Sequence, residues 1–336
     1  MSSILRSVVF FVAIGLVIQI AIALVLIASA RPKGAANSGE GGLSFASVLG
    51  GLLPDAPEPE TYPARDGARL PFRSWPSRPG APLLILLHGS GWYGMQFHQL
   101  GRELAAAGAA HVVAPDLRGH GAHPARRGDV EYIGQLEDDV ADLIAHLRAN
   151  GHGGPVLIGG HSSGGGLAVR FAGGRHGALA DGYLLLAPFL QHNAPTTRPN
   201  SGGWARPLTR RIIGLAMLNG LRITALNHLT AIEFAMPRSV LDGPLGHTAT
   251  TAYSYRLNTS YAPRNWKKDL TALKQPLLVI AGGEDGAFFA ERYEAAMKPL
   301  TPQAQFLIVP GRDHLGIVDA QETVEAAQSW LGSLRS

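Results

Sequence analysis

The sequence predicts a doubly wound α/β domain with a mostly parallel sheet, an inserted helical cap and a transmembrane helix at its N-terminal end. Three observations carry that expectation. Short apolar runs alternate with amphipathic stretches over residues 61–190 and again over 266–336. The alternation stops between 191 and 265. A run of 24 residues without a charge, 7–30, stands ahead of both.

The charge-free run reads SVVFFVAIGLVIQIAIALVLIASA. As a helix it covers about 36 Å, more than a hydrocarbon layer about 30 Å thick. It has no polar face, which argues against a buried core helix. Removal as a signal peptide is the competing reading, since Ala28-Ser29-Ala30 matches a cleavage site. Such peptides carry shorter apolar regions, about 7–15 residues, so a single-pass membrane anchor is the better fit. Arg6 flanks it on one side and Arg31 and Lys33 on the other, so the positive-inside rule assigns no face. Residues 31–60, rich in Gly, Ala, Pro and Ser, read as a flexible linker.

The core elements follow in order. LLILLHG (83–89), HVVAPD (111–116), PVLIGG (155–160) and GYLLLAP (182–188) read as strands buried on both faces. Between them, QFHQLGRELAAAG has helical spacing with a stop at Gly108. Residues 131–151 form a long amphipathic stretch with Ile133, Leu136, Val140, Leu143, Ile144 and Leu147 on one face. The pattern resumes with strands at 276–283 and 305–311 and closes with a helix near 319–334. The intervening 191–265 holds helical pieces such as LTRRIIGLAMLNGL and no βαβ unit, so it reads as a cap between two strands.

Composition narrows the function classes. Apolar residues make up 46% and charged residues 16% of 336, which fits a folded domain and excludes a disordered chain. Net charge is +4 with no block of Lys or Arg, so no nucleic-acid partner is expected. The absence of cysteine excludes disulfides, thiolate catalysis and cysteine–metal sites. No His, Asp or Glu spacing suggests a metal ligand set, and GGHSSGGG lacks the Gly-Lys-Ser/Thr ending of a phosphate loop. Neither cofactor nor metal is expected.

Reactive groups of doubly wound sheets gather at the carboxyl ends of strands, and every candidate here sits at one. Gly160-x-Ser162-x-Gly164 joins a strand to a helix, and flanking glycines let the two approach without Cβ clashes. Ser163 fails that spacing, because His161 stands where its first glycine is needed. Ser162 is therefore the candidate nucleophile; the alternative is a plain helix-capping serine. A serine hydroxyl needs a base within hydrogen-bond reach. Of 13 histidines, His314 lies just past the last strand, in a loop able to fold over Ser162. His88, His120 and His161 also flank strand ends, and the first and third sit in glycine turns, where they shape the pocket. The base needs an acid to fix its tautomer, and Asp285, with Glu284 as runner-up, follows the penultimate strand. An oxyanion needs preorganised N–H donors. The backbone amides of Ser163 and of Ser90, with Gly91 second, are placed for this.

LLHGSG, APDLRGHG, GGHSSGG, AGGEDGAF and PGRDHLG, in this order, resemble the α/β-hydrolase superfamily. They are most similar to its branch of monoacylglycerol lipases, lysophospholipases and serine aminopeptidase-like hydrolases. The resemblance covers about residues 61–334 without most of 191–265. It implies hydrolysis of an ester, thioester or amide through an acyl-enzyme, and an oxyanion N–H from the residue after His88-Gly89, which is Ser90. Asp116 and His120 match a structural loop of the family. Relatives with an aspartate nucleophile are disfavoured by Ser162.

The cap bears on the substrate. Residues 191–265 hold eight arginines against two acids, Glu233 and Asp242. An aminopeptidase must hold an ammonium group with carboxylates, so peptides are disfavoured. Apolar pieces such as IIGLAML suit an acyl chain, with arginines toward headgroups; solvated arginines and plain cap packing are the bland alternative. The expected partner is a small-molecule or lipid ester substrate, such as a monoacylglycerol or lysophospholipid, with the membrane contacted through the N-terminal helix. A short-chain carboxylesterase, a serine peptidase, and a membrane-anchored binding protein on an inactive hydrolase scaffold are the competing functions.

Overall fold

A computed structural model describes residues 3–34, 43 and 55–334. Most of 31–60, the expected linker, lies outside the described residues.

Eight strands form the main sheet in the order β1-β2-β4-β3-β5-β6-β10-β11. Their ranges are β1 Glu60–Pro63, β2 Arg69–Trp75, β3 Leu83–Leu87, β4 His111–Pro115, β5 Val156–His161, β6 Gly182–Leu186, β10 Leu277–Gly282 and β11 Gln305–Val309. β1 and β2 are antiparallel to their neighbours, and the other six strands run parallel. Every residue of β3, β5, β6 and β10 is buried, which is why each reads as an unbroken apolar run.

The two-residue period of a strand divides these side chains between two cores. Leu83, Ile85, Leu87, Ile158, Leu185 and Val279 meet helices α3 (Gln135–Ala149) and α4 (Ser163–Ala172) on one face. Leu84, Leu86, Leu157, Leu186 and Ile280 meet α2 (His98–Ala106) and α10 (Gln321–Ser333) on the other. Within α3 the apolar stripe begins at Leu136. Ile133 lies ahead of the helix, because Gly134 at φ 103° turns the chain before the first helical residue.

Between β6 and β10 the chain leaves the sheet. This insertion carries helices α5 (Thr209–Gly220), α6 (Arg238–Leu241), α7 (Tyr255–Tyr261) and α8 (Trp266–Ala272). It also carries a three-stranded antiparallel sheet, β7 (Ala205–Pro207), β8 (Thr230–Phe234) and β9 (Ala252–Ser254). Strands of three to five residues are too short for alternation to register in sequence. A short helix α9 (Tyr293–Met297) follows β10. Ahead of everything, α1 (Ser3–Ser29) is one apolar helix, long enough to cross a membrane.

Candidate active site

Ser162 sits between β5 and α4 with φ 54° and ψ −119°, a conformation that L-residues rarely adopt. The glycines around it explain how the turn is accommodated. A Cβ at 164 would lie 1.9 Å from the Leu87 carbonyl oxygen, and one at 160 would lie 2.4 Å from the Gly164 backbone. Strand and helix therefore touch main chain to main chain, and the serine is pushed out at the sheet's carboxyl edge.

Three side chains from distant loops converge there. His314 Nε2 lies 3.0 Å from Ser162 Oγ, and His314 Nδ1 lies 2.8 Å from Asp285 Oδ2. The other carboxylate oxygen, Asp285 Oδ1, accepts from the amides of Ala287 at 2.7 Å and Phe288 at 2.9 Å. Burial alone would raise the Asp285 carboxyl, but the facing imidazole and these hydrogen bonds hold it below its ordinary value. Glu284, one residue before, is exposed. A hydroxyl, an imidazole and a carboxylate linked in this order can pass the hydroxyl proton to the ring while the carboxylate steadies the resulting cation.

The loop after β3 faces the same serine. Gly89 donates its amide to Gln96 Oε1 at 2.9 Å, and Gly91 donates to the Tyr253 hydroxyl at 2.7 Å. No hydrogen bond within the described chain uses the amides of Ser90 or Ser163. Their hydroxyl oxygens lie 2.5 Å apart. Two main-chain donors from residues that line the same chamber as Ser162 are thus without a partner among the described residues. Gly91, the second choice for a donor, is occupied.

Three further histidines brace the site as neutral rings. His161 Nε2 donates to the His314 carbonyl at 2.8 Å, and its Nδ1 accepts from Gln96 Nε2 at 2.7 Å. Burial, with His314 adjacent, pushes the His161 ring down to about 3. His88 accepts from the Leu117 amide at 3.0 Å and faces the Gly89 carbonyl at 2.9 Å; burial lowers it to about 4. His120 Nδ1 faces the carbonyls of Leu117 and Arg118, so its Nε2 accepts from the Tyr253 hydroxyl at 2.7 Å. Asp116 pairs with Arg73 and with the Gly94 amide, away from the serine.

Gln96, Tyr253 and Arg198 are the residues that sequence reasoning missed. Arg198 Nε lies 3.2 Å from the carbonyls of Asp285 and Phe288, which straps the start of the insertion to the acid loop. None of the three stands at a strand end or in a recognisable spacing, so only the folded chain reveals them. Among the described residues no group of three or more His, Asp or Glu is arranged to hold a metal ion.

Two small chambers adjoin Ser162, of about 20 and 60 Å³, and no carboxylate lines either. The larger is walled by Phe189, Phe234, Tyr253 and Phe288. It shares Phe189, Ala205, Ile232, Asn258 and Ala262 with an open cavity of about 1530 Å³.

A family model described as serine aminopeptidase, S33, matches residues 79–320, which spans both halves of the sheet and the insertion. The chain belongs to this family of hydrolases, and its fold is that of the α/β-hydrolases. It is 29% identical over 225 residues to the human monoglyceride lipase, covering 66% of this chain and 71% of that one. It is 26% identical over 222 residues to a probable protein phosphatase methylesterase 1 of Caenorhabditis elegans. That match covers 61% of this chain and only 57% of the relative's length. Among solved structures, a bacterial membrane phospholipase A superposes with a TM-score of 0.58 at 18% identity over the full length of both chains, a likeness of fold.

Proposed function

We propose that the protein is a membrane-anchored serine hydrolase that cleaves carboxylic esters of lipid type, such as a monoacylglycerol or lysophospholipid. The observation that carries this reading is the unbroken contact from Asp285 through His314 to Ser162. His314 Nε2 takes the Ser162 proton as the hydroxyl oxygen attacks the ester carbon. The oxyanion that forms is met by the amides of Ser90 and Ser163. His314 then returns the proton to the departing alcohol, which leaves an acyl-Ser162 ester. Water, activated by the same ring, hydrolyses that ester and restores the serine. Asp285 holds the ring in the tautomer with Nε2 free. The cap over this machinery is residues 191–265, and α1 supplies the anchor.

Substrate class rests on the walls. Aromatic and aliphatic side chains line the chamber over Ser162 and continue through Phe189, Ala205 and Ile232 into the 1530 Å³ cavity, which suits an acyl chain, while Glu137, Asp138 and several arginines form a polar part of the cavity wall. No carboxylate lines the two chambers that adjoin Ser162, which speaks against an aminopeptidase. The two relatives above are a monoglyceride lipase and a probable methylesterase, both of them esterases by name. A short-chain esterase is the second reading, favoured by the small volume, about 20 and 60 Å³, of the chambers that adjoin the serine. A fluorophosphonate probe should label the wild type and not Ser162→Ala, and equal labelling of the variant would overturn the nucleophile. A series of p-nitrophenyl esters of rising chain length separates the two readings: preference for long chains supports lipid, a sharp decline beyond butyrate the short-chain esterase.

A further inference from the structure

α1 is not simply joined to the rest of the molecule by a linker; its last turns are built into the insertion. Most of the helix is exposed, with Val8 at 53% and Val17 at 67%, but Ala23 and Ile27 are buried against Leu215 and Leu218 of α5. Gly214 makes the approach possible, since a Cβ there would lie 2.5 Å from the Ala23 carbonyl oxygen. Arg211 of α5 donates to the carbonyls of Ile27 and Ala30, two of the acceptors that the end of α1 leaves open, and at 3.0 Å to that of Thr230. Beyond the helix, the amides of Lys33 and Gly34 donate to the Glu233 carboxylate at 3.2 and 2.7 Å, and Arg206 pairs with the same carboxylate.

The opposite flank of α5 leads to the reaction site. Thr209, Ile213 and Ala216, at helical spacing, are exposed and line the 1530 Å³ cavity. Ile133, Ile212 and Tyr255 belong both to the cluster that beds α1 and to the cavity wall, so one layer of side chains separates α1 from the cavity. The contact at Ala23 lies roughly 10 Å along the axis from the end of α1, the depth at which interfacial helices rest. No carboxylate occurs from residue 182 to 232, while Arg210 and Arg222 are exposed there.

We propose that α1 and α5 form one membrane-facing surface. In it α5 lies in the interface of an anionic bilayer with Ile213 and Ala216 toward the lipid, and the mouth of the cavity opens there. This rests on the reading of α1 as a membrane helix. The Gly214 contact and the Arg211 and Glu233 hydrogen bonds fix the orientation of the domain on the bilayer, and Arg210 and Arg222 meet anionic headgroups.

The chain has no cysteine, so single-cysteine labelling is clean. Full-length Ile213→Cys, Val12→Cys and Leu179→Cys would carry an environment-sensitive fluorophore in vesicles of phosphatidylcholine and phosphatidylglycerol. Lipids spin-labelled near the headgroup or deep in the chain would act as quenchers. Leu179, exposed and just ahead of the amino end of β6, opposite the carboxyl ends that carry Ser162, is the aqueous reference. Quenching at 213 by the shallow lipid and at 12 by the deep one, with none at 179, is the expected result. Quenching at 12 with position 213 behaving like 179 would overturn the proposal and leave the anchor standing. No quenching at 12 would remove the anchor reading and the proposal with it. Gly214→Leu, which separates α5 from α1, should lower turnover of vesicle-borne lipid about tenfold while p-nitrophenyl acetate turnover stays unchanged. An equal fall on both substrates would count against an orienting role.

Discussion

The elbow that carries Ser162 and the insertion that covers it approach the same hydroxyl from opposite directions, and they are held by different forces. Between the strand and the helix of the elbow there is no spare volume: main chain meets main chain at Gly160 and Gly164, and β3, β5 and β6 behind it are wholly buried. The insertion reaches the site through hydrogen bonds: from side chains, Tyr253 to the Gly91 amide and Arg198 to the Asp285 loop, and from main chain, Thr250 to the Gly91 carbonyl and Arg198 to that of Ala287. Reactive geometry on the core side is therefore set by steric exclusion, which does not yield by degrees. On the side of the insertion it is set by hydrogen bonds, of which those made by side chains can be removed one at a time. Changes in the core machinery should be nearly all-or-none, and changes in the cap graded.

Asp285→Asn tests the core side and carries the largest expected effect. The amide can still accept from Ala287 and Phe288, but it favours the wrong tautomer of His314, so kcat should fall by about 10⁴ with stability little changed. Glu284→Gln should leave turnover intact; the opposite pattern in steady-state kinetics would transfer the acid role to Glu284. The closed interior beneath the elbow makes stability depend on pH. Unfolded histidine takes a proton near pH 6.5, whereas folded His88 resists to about 4 and His161 to about 3. The unfolded chain therefore binds more protons between those values, and stability is lost as pH falls below 6.5, by about 3 kcal/mol for His88 alone at pH 4. Urea midpoints in detergent at pH 7 and pH 4.5 read this directly, and equal midpoints would mean the rings are not sealed as described. Tyr253→Phe probes the cap side and should have the smallest effect of the three. It leaves the Gly91 amide and His120 Nε2 without a partner and loosens the loop that presents the Ser90 amide. A fall in kcat of about 10–100-fold with KM nearly constant is expected. A change confined to KM would make Tyr253 a substrate contact instead.

The same contrast explains how much could be read from the sequence. Parallel strands advertise themselves as apolar runs, and the topology sends their carboxyl ends to one edge. Ser162, Asp285 and His314 therefore stand out in the sequence by position alone as candidates for one site. Glycine spacing distinguished Ser162 from Ser163 because the constraint is local and steric. The insertion gave no comparable signal. Its strands are three to five residues long, and Tyr253 meets Gly91 across 162 positions of chain. Gln96 lies in a short 3₁₀ turn, Gly94–Phe97, with nothing in its neighbours to mark it. The arginine excess of 191–265 was visible, but its division between structural duty at Arg198 and Arg211 and exposure at Arg210 and Arg222 depends on packing alone.

The φ of 54° at Ser162 implies a conflict between durability and work. A non-glycine residue held there stores on the order of 1–3 kcal/mol, while glycine would relax without moving its neighbours. Glycine's greater freedom when unfolded returns about 0.5–1 kcal/mol of that gain. Ser162→Gly should thus melt at a higher temperature than the native chain and hydrolyse nothing, the signature of a backbone that tolerates discomfort at one residue in order to keep a hydroxyl in reach of a base.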